Sequence, residues 1–321
     1  MSVTPLPRLR TPLCELLGVD YPIIQTGMGW VAGPKLVSAS ANAGIMGILA
    51  SATMDFDQLK TSIAEVKTRT TKPFGVNLRA DSADVQDRIS LMIDEGIKLA
   101  SFAQAPKPEL ISRLKDAGVV VIPSIGAKRH AEKVLEWGVD AVLVQGGEGG
   151  GHTGSVPTSV LLPQVVDAVA GRVPVIAAGG FFDGRGLIAA LAYGASGVAM
   201  GTRFLLTSDS SVPQTVKDYY LSRGVLDTVV SVQVDGVPHR VLRTDLVNQL
   251  ESGRGKFLAL PRAGINALRF RKMTGAKLRD MLREGLMMKK SMDLSYSQMV
   301  MAANTPMLLK TSLVDGKTES G

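Results

Sequence analysis

The sequence is poor in the residues that build metal sites and disulfides. Its 321 residues include one cysteine, Cys14, and three histidines. One cysteine excludes an internal disulfide and favours a reducing compartment. The three histidines and the cysteine are dispersed and lack the spacing of metal ligands, so we predict no metal site. No stretch approaches the roughly 20 apolar residues of a membrane span, and the N-terminus lacks the apolar core of a signal peptide. These absences predict a cytoplasmic protein that does not enter a membrane.

Positive charge is confined to one late segment. The net charge is +7, but residues 240–290 carry 13 Lys and Arg against 4 Asp and Glu, a formal +9, which leaves −2 for the rest. This distribution argues against a nucleic-acid partner. A basic segment is ordinarily a solvated face, but its concentration here favours a local anionic partner, such as the phosphates of CoA or NADPH.

Apolar strand-like runs alternate with amphipathic stretches over the first two thirds of the chain. The predicted strands are 21–28, 45–51, 72–79, 99–105, 119–125, 140–145, 174–178 and 197–203. The predicted helices are 34–43, 55–69, 83–95, 107–117, 128–137, 159–170 and 184–193. Most of these helices end in a glycine, as helix C-caps do: Gly44, Gly96, Gly118, Gly138, Gly171 and Gly194. Eight such units favour an α/β fold of the (β/α)8 TIM-barrel type over an open doubly wound sheet.

We assign the barrel to residues 1–207 plus part of the C-terminal tail. The alternation then fades, and residues 208–300 are interpreted as a basic, mostly helical insertion or lid over the active site. It contains a strand-like piece at 228–234 and helical stretches at 263–273 and 276–290. No sequence feature separates a monomer from a homodimer.

The segment 140–154, DAVLVQGGEGGGHTG, combines a buried strand with a glycine-rich loop and His152. Glycine backbone can lie flat against a planar ligand, so Gly150 and Gly151 are predicted to contact a flat cofactor. His152 is predicted to face its reactive side as the catalytic residue, rather than to be a loop histidine bonded to backbone. Glu148 is either a second base or, as we favour, a solvated loop carboxylate. For His239 the sequence leaves two interpretations open: a structural role, or a position lining the substrate entrance.

Reactive groups in a barrel of this type lie at the carboxyl ends of the strands. Gly27, Met28 and Gly29 follow the first strand. Two amides, Asn77 and Gln145, can pair with the polar edge of a flavin ring. The loops after the last two strands can bind a phosphate through backbone N–H groups and a hydroxyl, and they supply Gly179, Gly180, Met200, Gly201 and Thr202. A planar ring beside a phosphate is the shape of FMN.

Several of these segments resemble the nitronate monooxygenase family, formerly the 2-nitropropane dioxygenases. They are PIIQTGMGWVAGPKLVSASANAG, GVN, GGEGGGHTG, AAGGFFDGRGLIAALAYGA and MGTRFLLT. The resemblance covers roughly residues 10–210. It implies FMN, a barrel, and a histidine at the position of His152. By matching position it also implies FMN contacts from Gly27, Met28, Asn77, Gln145, Gly150, Gly180, Met200, Gly201 and Thr202.

Within this family, VDGVPHRVLRT and MAANTPMLLK resemble the actinobacterial branch that degrades steroid rings as CoA thioesters. This branch implies hydride transfer between flavin N5 and a carbon near the thioester of a small CoA-linked substrate, with NAD(P)H left open as electron donor or acceptor. Alternatives are a nitronate monooxygenase that uses O2, an NAD(P)H:quinone reductase, and a flavoprotein that only binds. Some quinone-reducing relatives have a lysine at the position of Ser124, and the tyrosines of the nitronate-oxidising class are not evident.

Overall fold

The computed structural model describes residues 9–233, 237–252 and 310–317. These residues divide into two compact units. The first contains residues 9–149 and 154–210, and the second contains the remaining described residues, including 150–153.

The first unit is a closed barrel of eight parallel strands. Its strands are β1 (Ile23–Gln25), β2 (Met46–Ala50), β3 (Phe74–Leu78), β4 (Leu99–Phe102), β5 (Val120–Ile125), β6 (Val142–Gln145), β8 (Val175–Ala178) and β9 (Gly197–Met200). β7 (Gly151–His152) lies between β6 and β8 in the chain but belongs to a separate sheet. The predicted TIM barrel is confirmed, and each of its eight predicted strands is present.

Helices precede, connect and follow the strands of this barrel. They are α1 (Pro12–Leu17), α2 (Pro34–Asn42), α3 (Phe56–Arg69), α4 (Val85–Asp94), α5 (Pro108–Asp116), α6 (Lys128–Glu136), α7 (Thr158–Val169), α8 (Gly184–Ala192) and α9 (Thr202–Leu205). The six predicted capping glycines all have positive φ, from 62° to 92°. These left-handed residues end each helix and turn the chain toward the next strand, as the sequence predicts.

The core has an inner and an outer layer because side chains alternate along each strand. In β6, Leu143 packs inside the barrel, whereas Val142 and Val144 pack against the surrounding helices. Both layers are almost entirely aliphatic, which accounts for the continuous apolar runs in the sequence.

The amino-terminal end of the barrel is closed by α1, a helix that the sequence analysis did not predict. Its residues Leu13, Cys14 and Leu17 are fully buried in the inner layer. A Cβ built on Gly197, the first residue of β9, would lie 2.6 Å from Leu13 Cδ2. The single thiol is therefore an inert core group rather than a reactive one.

The last barrel strand is shorter than predicted. The sequence assigns residues 197–203 to it, but β9 ends at Met200 and Thr202 begins α9. Gly201, with φ −104° and ψ −78°, leaves the extended conformation between them. The end of the barrel therefore leads into a short helix.

Arg88, on α4, holds the loop that follows β2. Its guanidinium is buried and donates hydrogen bonds to the carbonyls of Ser51 (3.0 Å) and Met54 (2.7 Å) and to the carboxylate of Asp84 (2.8 Å). Burial opposes ionisation of Asp84, but hydrogen bonds from Ser82 and Arg88 and the charge of Arg88 outweigh it, so the pKa of Asp84 is lowered.

Replacing Arg88 with methionine is expected to lower the free energy of unfolding by about 2–4 kcal/mol, because a buried carbonyl, a part-buried carbonyl and the Asp84 carboxylate lose a charged donor. Urea denaturation followed by circular dichroism measures this loss. The matched control is Arg69→Met, which removes an exposed pair with Glu65; such pairs contribute about 0.2–1 kcal/mol. Equal losses in the two variants would contradict a special role for Arg88.

The second unit contains the strands β10 (Thr228–Ser231) and β11 (His239–Leu242). With β7 they form a three-stranded antiparallel sheet in the order β10-β11-β7. The other elements of this unit are α10 (Gln214–Leu221), the 3-10 helix η1 (Val225–Asp227) and α11 (Asp245–Glu251). β10 corresponds to the predicted strand at 228–234. The predicted helices at 263–273 and 276–290 lie outside the described residues, and the lid role of 208–300 stays a prediction. Among the helices of the described residues, none has the length and apolar character to cross a membrane.

Candidate active site

Four polar residues line the inner face of the barrel near the carboxyl ends of its strands. Along β3, β4, β5 and β6, successive side chains point alternately into the inner and the outer layer of the core. This alternation places four polar residues on the inner face: Asn77, Ser101, Ser124 and Gln145. Asn77 and Ser101 are register partners, and the Asn77 amide donates to the Ser101 carbonyl at 3.4 Å. The sequence analysis identified the two amides, but it did not recognise Ser101, which only the alternation of β4 indicates.

The loop after β1 packs against the end of β3. A Cβ built on Gly27 would lie only 2.6 Å from Asn77 Cβ, so glycine is required for this close approach. Gly29 packs in the same way on Thr53, with a built Cβ 3.0 Å from Thr53 Cγ2. Gly27 therefore lies next to Asn77, a predicted ring-binding amide, and cofactor binding by residues 27–29 stays a prediction.

The same loop also contacts the end of β9. The backbone N–H and the hydroxyl of Thr26 both donate to the Met200 carbonyl, at 3.1 and 3.3 Å. A Cβ built on Gly201 would lie 3.4 Å from Met28 Sδ. The Met200 side chain packs in the outer layer, so a cofactor contact by Met200 would be through its backbone. Thr202 is exposed at the start of α9.

The ends of β6 and β8 form a second group of close contacts. The Gly146 N–H donates to the Ala178 carbonyl at 3.0 Å. Gly179 (φ +101°) and Gly180 (φ +81°) are both left-handed, and a Cβ on Gly179 would lie 3.1 Å from both Gly146 O and Gly149 N. The glycines after β6 and β8 therefore pack backbone against backbone, and phosphate binding by Gly179 and Gly180 stays a prediction.

Glu148 is exposed, as the sequence analysis favoured, but its carboxylate is also held by hydrogen bonds. It accepts hydrogen bonds from the backbone N–H of Thr158 at 2.9 Å and from its hydroxyl at 2.7 Å. Thr158 is the buried first residue of α7, so the carboxylate satisfies an N–H at the helix N-terminus. No local sequence signal indicates this pairing, because the two residues belong to different elements.

His152 lies in a strand rather than in the predicted loop. It belongs to β7, which pairs antiparallel with β11, so that His152 is directly opposite His239 and Gly151 is opposite Arg240. Gly151 has φ +74°, and Gly150 and His152 are exposed. Residues 150–153 group with the second unit, so their predicted contacts with a cofactor stay predictions.

Trp30 is a further residue that the sequence analysis missed. It follows Gly29 in the loop after β1 and has a left-handed backbone with φ +65°, which is unusual for a residue with a side chain. Its indole N–H is buried and has no hydrogen-bond partner among the described residues. Such backbone strain is concentrated at functional sites, and the motif GMGW after a strand was the available signal.

The residues of the barrel end fit a phosphate-bearing flavin. They combine the left-handed Gly179, whose Cβ position is crowded by the backbone of Gly146 and Gly149, with inward-facing amides that can both donate and accept hydrogen bonds. Among the described residues no group of three or more His, Cys, Asp and Glu could hold a metal ion.

Comparisons with known proteins match nearly the whole chain. The family model described as nitronate monooxygenase matches residues 10–314. The chain is 65% identical over 318 residues to the (3aS,4S,5R,7aS)-5-hydroxy-7a-methyl-1-oxo-octahydro-1H-indene-4-carboxyl-CoA dehydrogenase of Mycobacterium tuberculosis, covering 98% of this chain and 88% of the relative. It is 63% identical over 313 residues to the dehydrogenase of the same name in Rhodococcus jostii, with the same coverage.

Solved structures give the same fold. FabK from Thermotoga maritima has a TM-score of 0.77 and 33% identity, covering 98% of this chain and 87% of that chain. Nitroalkane oxidase from Streptomyces ansochromogenes has a TM-score of 0.68 and 28% identity, covering 74% of this chain and 81% of that chain.

These similarities identify an oxidoreductase of a flavin-dependent family, as the sequence motifs predicted. The match of the family model over nearly the whole chain is supported by relatives at 65% and 63% identity. The chain therefore belongs to the nitronate monooxygenase family.

Proposed function

We propose that this protein is an FMN-dependent dehydrogenase that acts on a CoA-linked, steroid-derived ring acid. The observation that carries the proposal is the 65% and 63% identity, over 98% of the chain, to two dehydrogenases named for an octahydroindene carboxyl-CoA. Relatives named as nitronate monooxygenases are more distant, at 30% identity. Cytoplasmic location and oligomeric state stay predictions from the sequence.

The proposed reaction takes place at carbons next to the thioester. A hydrogen on the carbon adjacent to a thioester carbonyl is acidic, and it can leave as a proton while the neighbouring carbon gives up a hydride. FMN, when bound, supplies the hydride acceptor at N5. The protein must then orient the acyl group, exclude water, and accept or return the proton.

Each part of the barrel end has a proposed task. The backbone of Gly179, Gly180 and Gly201 would hold the phosphate of FMN, together with the hydroxyl of Thr202. The amides of Asn77 and Gln145 would bind the polar edge of the ring, and the backbone at 27–29 would lie against it. This assignment is supported by the close contacts of Gly27 with Asn77 and of Gly179 with Gly146.

His152 would move the proton. Histidine is the side chain that most often transfers protons as a general acid or base in enzymes. Its exposure and its position just after β6 support this role. The charge of residues 240–290, +9 in total, supports binding of the CoA phosphates.

The direct test is anaerobic mixing of the yellow protein with the thioester, followed by absorbance in the flavin band. Loss of this absorbance with the CoA ester of a bicyclic ring acid, and not with the free acid, is the expected result. NAD(P)H is tested separately, since it is proposed only as an electron donor or acceptor. Oxygen-consuming turnover of propyl nitronate, with no response to thioesters, would instead favour a nitronate monooxygenase.

A further inference from the structure

Two of the three histidines of the chain meet in the second unit. His152 on β7 and His239 on β11 are directly opposite each other, and their ring centroids are 4.5 Å apart with the ring planes tilted by 50°. Directly opposed residues lie on the same face of a sheet. The hydrogen bond from the Thr153 N–H to the Pro238 carbonyl, at 3.0 Å, extends the pairing beside the two rings.

The two rings have very different surroundings. His239 is 5% exposed, whereas His152 is exposed. On its other side His239 is opposite Ser231 of β10, which is 1% exposed and whose hydroxyl contacts the carboxylate of Glu251. The ring of His239 therefore lies in the middle of a three-residue row, and the exposed His152 forms one end of that row.

The backbone of β7 also lies close to the ring of His239. Gly151 has φ +74°, which only glycine adopts readily. A Cβ built there would lie 3.8 Å from His239 Nε2. The buried ring thus lies alongside the backbone that carries His152, as well as against its imidazole.

We propose that His239 is a positioning residue, whose buried ring fixes the orientation of the His152 imidazole for proton transfer. This inference rests on the proposed function, in which His152 moves the proton. An exposed side chain on a two-residue strand has several rotamers to choose from, and a packed ring on its flank reduces their number. Small errors in the placement of a reacting group can lower rates by up to about a hundredfold.

The first readout does not depend on activity. With only three histidines, the ring protons of labelled histidine can be assigned by removing each one in turn. We expect a nuclear Overhauser effect between the rings of His152 and His239, and none from either to His130. In His239→Ala the His152 signal should change, while that of His130, exposed on α6, should not. Absence of the ring-to-ring effect in the folded protein would overturn the proposal.

The second readout is the rate of the anaerobic half-reaction at saturating thioester. We expect His239→Ala to lower this rate roughly tenfold while the thioester concentration for half-saturation stays the same. His239→Phe should recover the rate to within about threefold of wild type, because it restores a buried ring. In the His152→Ala background, His239→Ala should have no further effect, since it acts through the missing group.

The outcomes separate the inference from the function on which it rests. If His152→Ala is slow but His239→Ala reacts at the wild-type rate, the positioning role is wrong and the proposed function stands. If His152→Ala itself reacts normally, the proposed role of His152 fails first. A His239→Phe variant that is folded, yet as slow as His239→Ala, or additive losses in the double variant, would also overturn the positioning role.

Discussion

Replacing His152 with alanine is expected to leave the protein yellow while slowing the thioester half-reaction at least about a hundredfold. General acid–base catalysis by a positioned side chain contributes roughly 10²–10⁴-fold, and the proposed FMN contacts are made by other residues. The measurement is stopped-flow absorbance of the flavin band under anaerobic conditions, with the flavin content determined from the spectrum of the same sample.

His130 provides the matched control for this substitution. It is exposed on α6 and is the third histidine of the chain, so His130→Ala is expected to react at the wild-type rate. A normal rate in His152→Ala would remove this residue from the mechanism. A colourless His152→Ala protein would show instead that the side chain contributes to cofactor binding.

Replacing Gly179 with alanine is expected to weaken FMN binding roughly 30–100-fold, which corresponds to about 2–3 kcal/mol. The residue has φ +101°, and an added Cβ would approach Gly146 O, Gly149 N and Thr158 Oγ1 at 3.1 Å each. Relief of these contacts would displace the backbone that we assign to the phosphate. Fluorescence titration of the apoprotein with FMN gives the dissociation constant.

Gly171→Ala separates the effect of crowding from that of backbone conformation. Gly171 also has a positive φ, of 73°, but a Cβ there would meet no atom within 4 Å. This control therefore has the strain of a left-handed alanine, about 1–2 kcal/mol, without the contacts at the barrel end. Equal FMN affinity in the two variants, both folded by circular dichroism, would contradict the assignment of Gly179.

Most of the barrel could be predicted from the sequence because its signals are local. The strand ends, helix ends and capping glycines are each set by a few neighbouring residues, as the positive φ of Gly118 and Gly138 illustrates. The helix α1 was missed because six residues are too short for a recognisable period, and only the packing of Leu13 and Leu17 inside the barrel makes it stable.

The site was less predictable, because its contacts join residues that are distant in the sequence. Glu148 bonds to Thr158 of another element, and the partner of His152 comes from a strand near residue 240. The glycine-rich composition around His152 indicated a loop, whereas pairing with β11 makes it a strand. The residue types at the barrel end were identifiable from sequence, but their neighbours were not.

The pairing of β7 with β11 makes loop length as important as loop composition. A slip of one position against β11 would turn the His152 imidazole to the opposite face of the sheet, away from His239. Loops ordinarily tolerate insertions and deletions, but a single residue added between Gly151 and Thr153, whose N–H bonds to the Pro238 carbonyl, would force either that slip or a bulge. Homologues that share this chemistry should therefore differ here in amino-acid identity while keeping the same spacing.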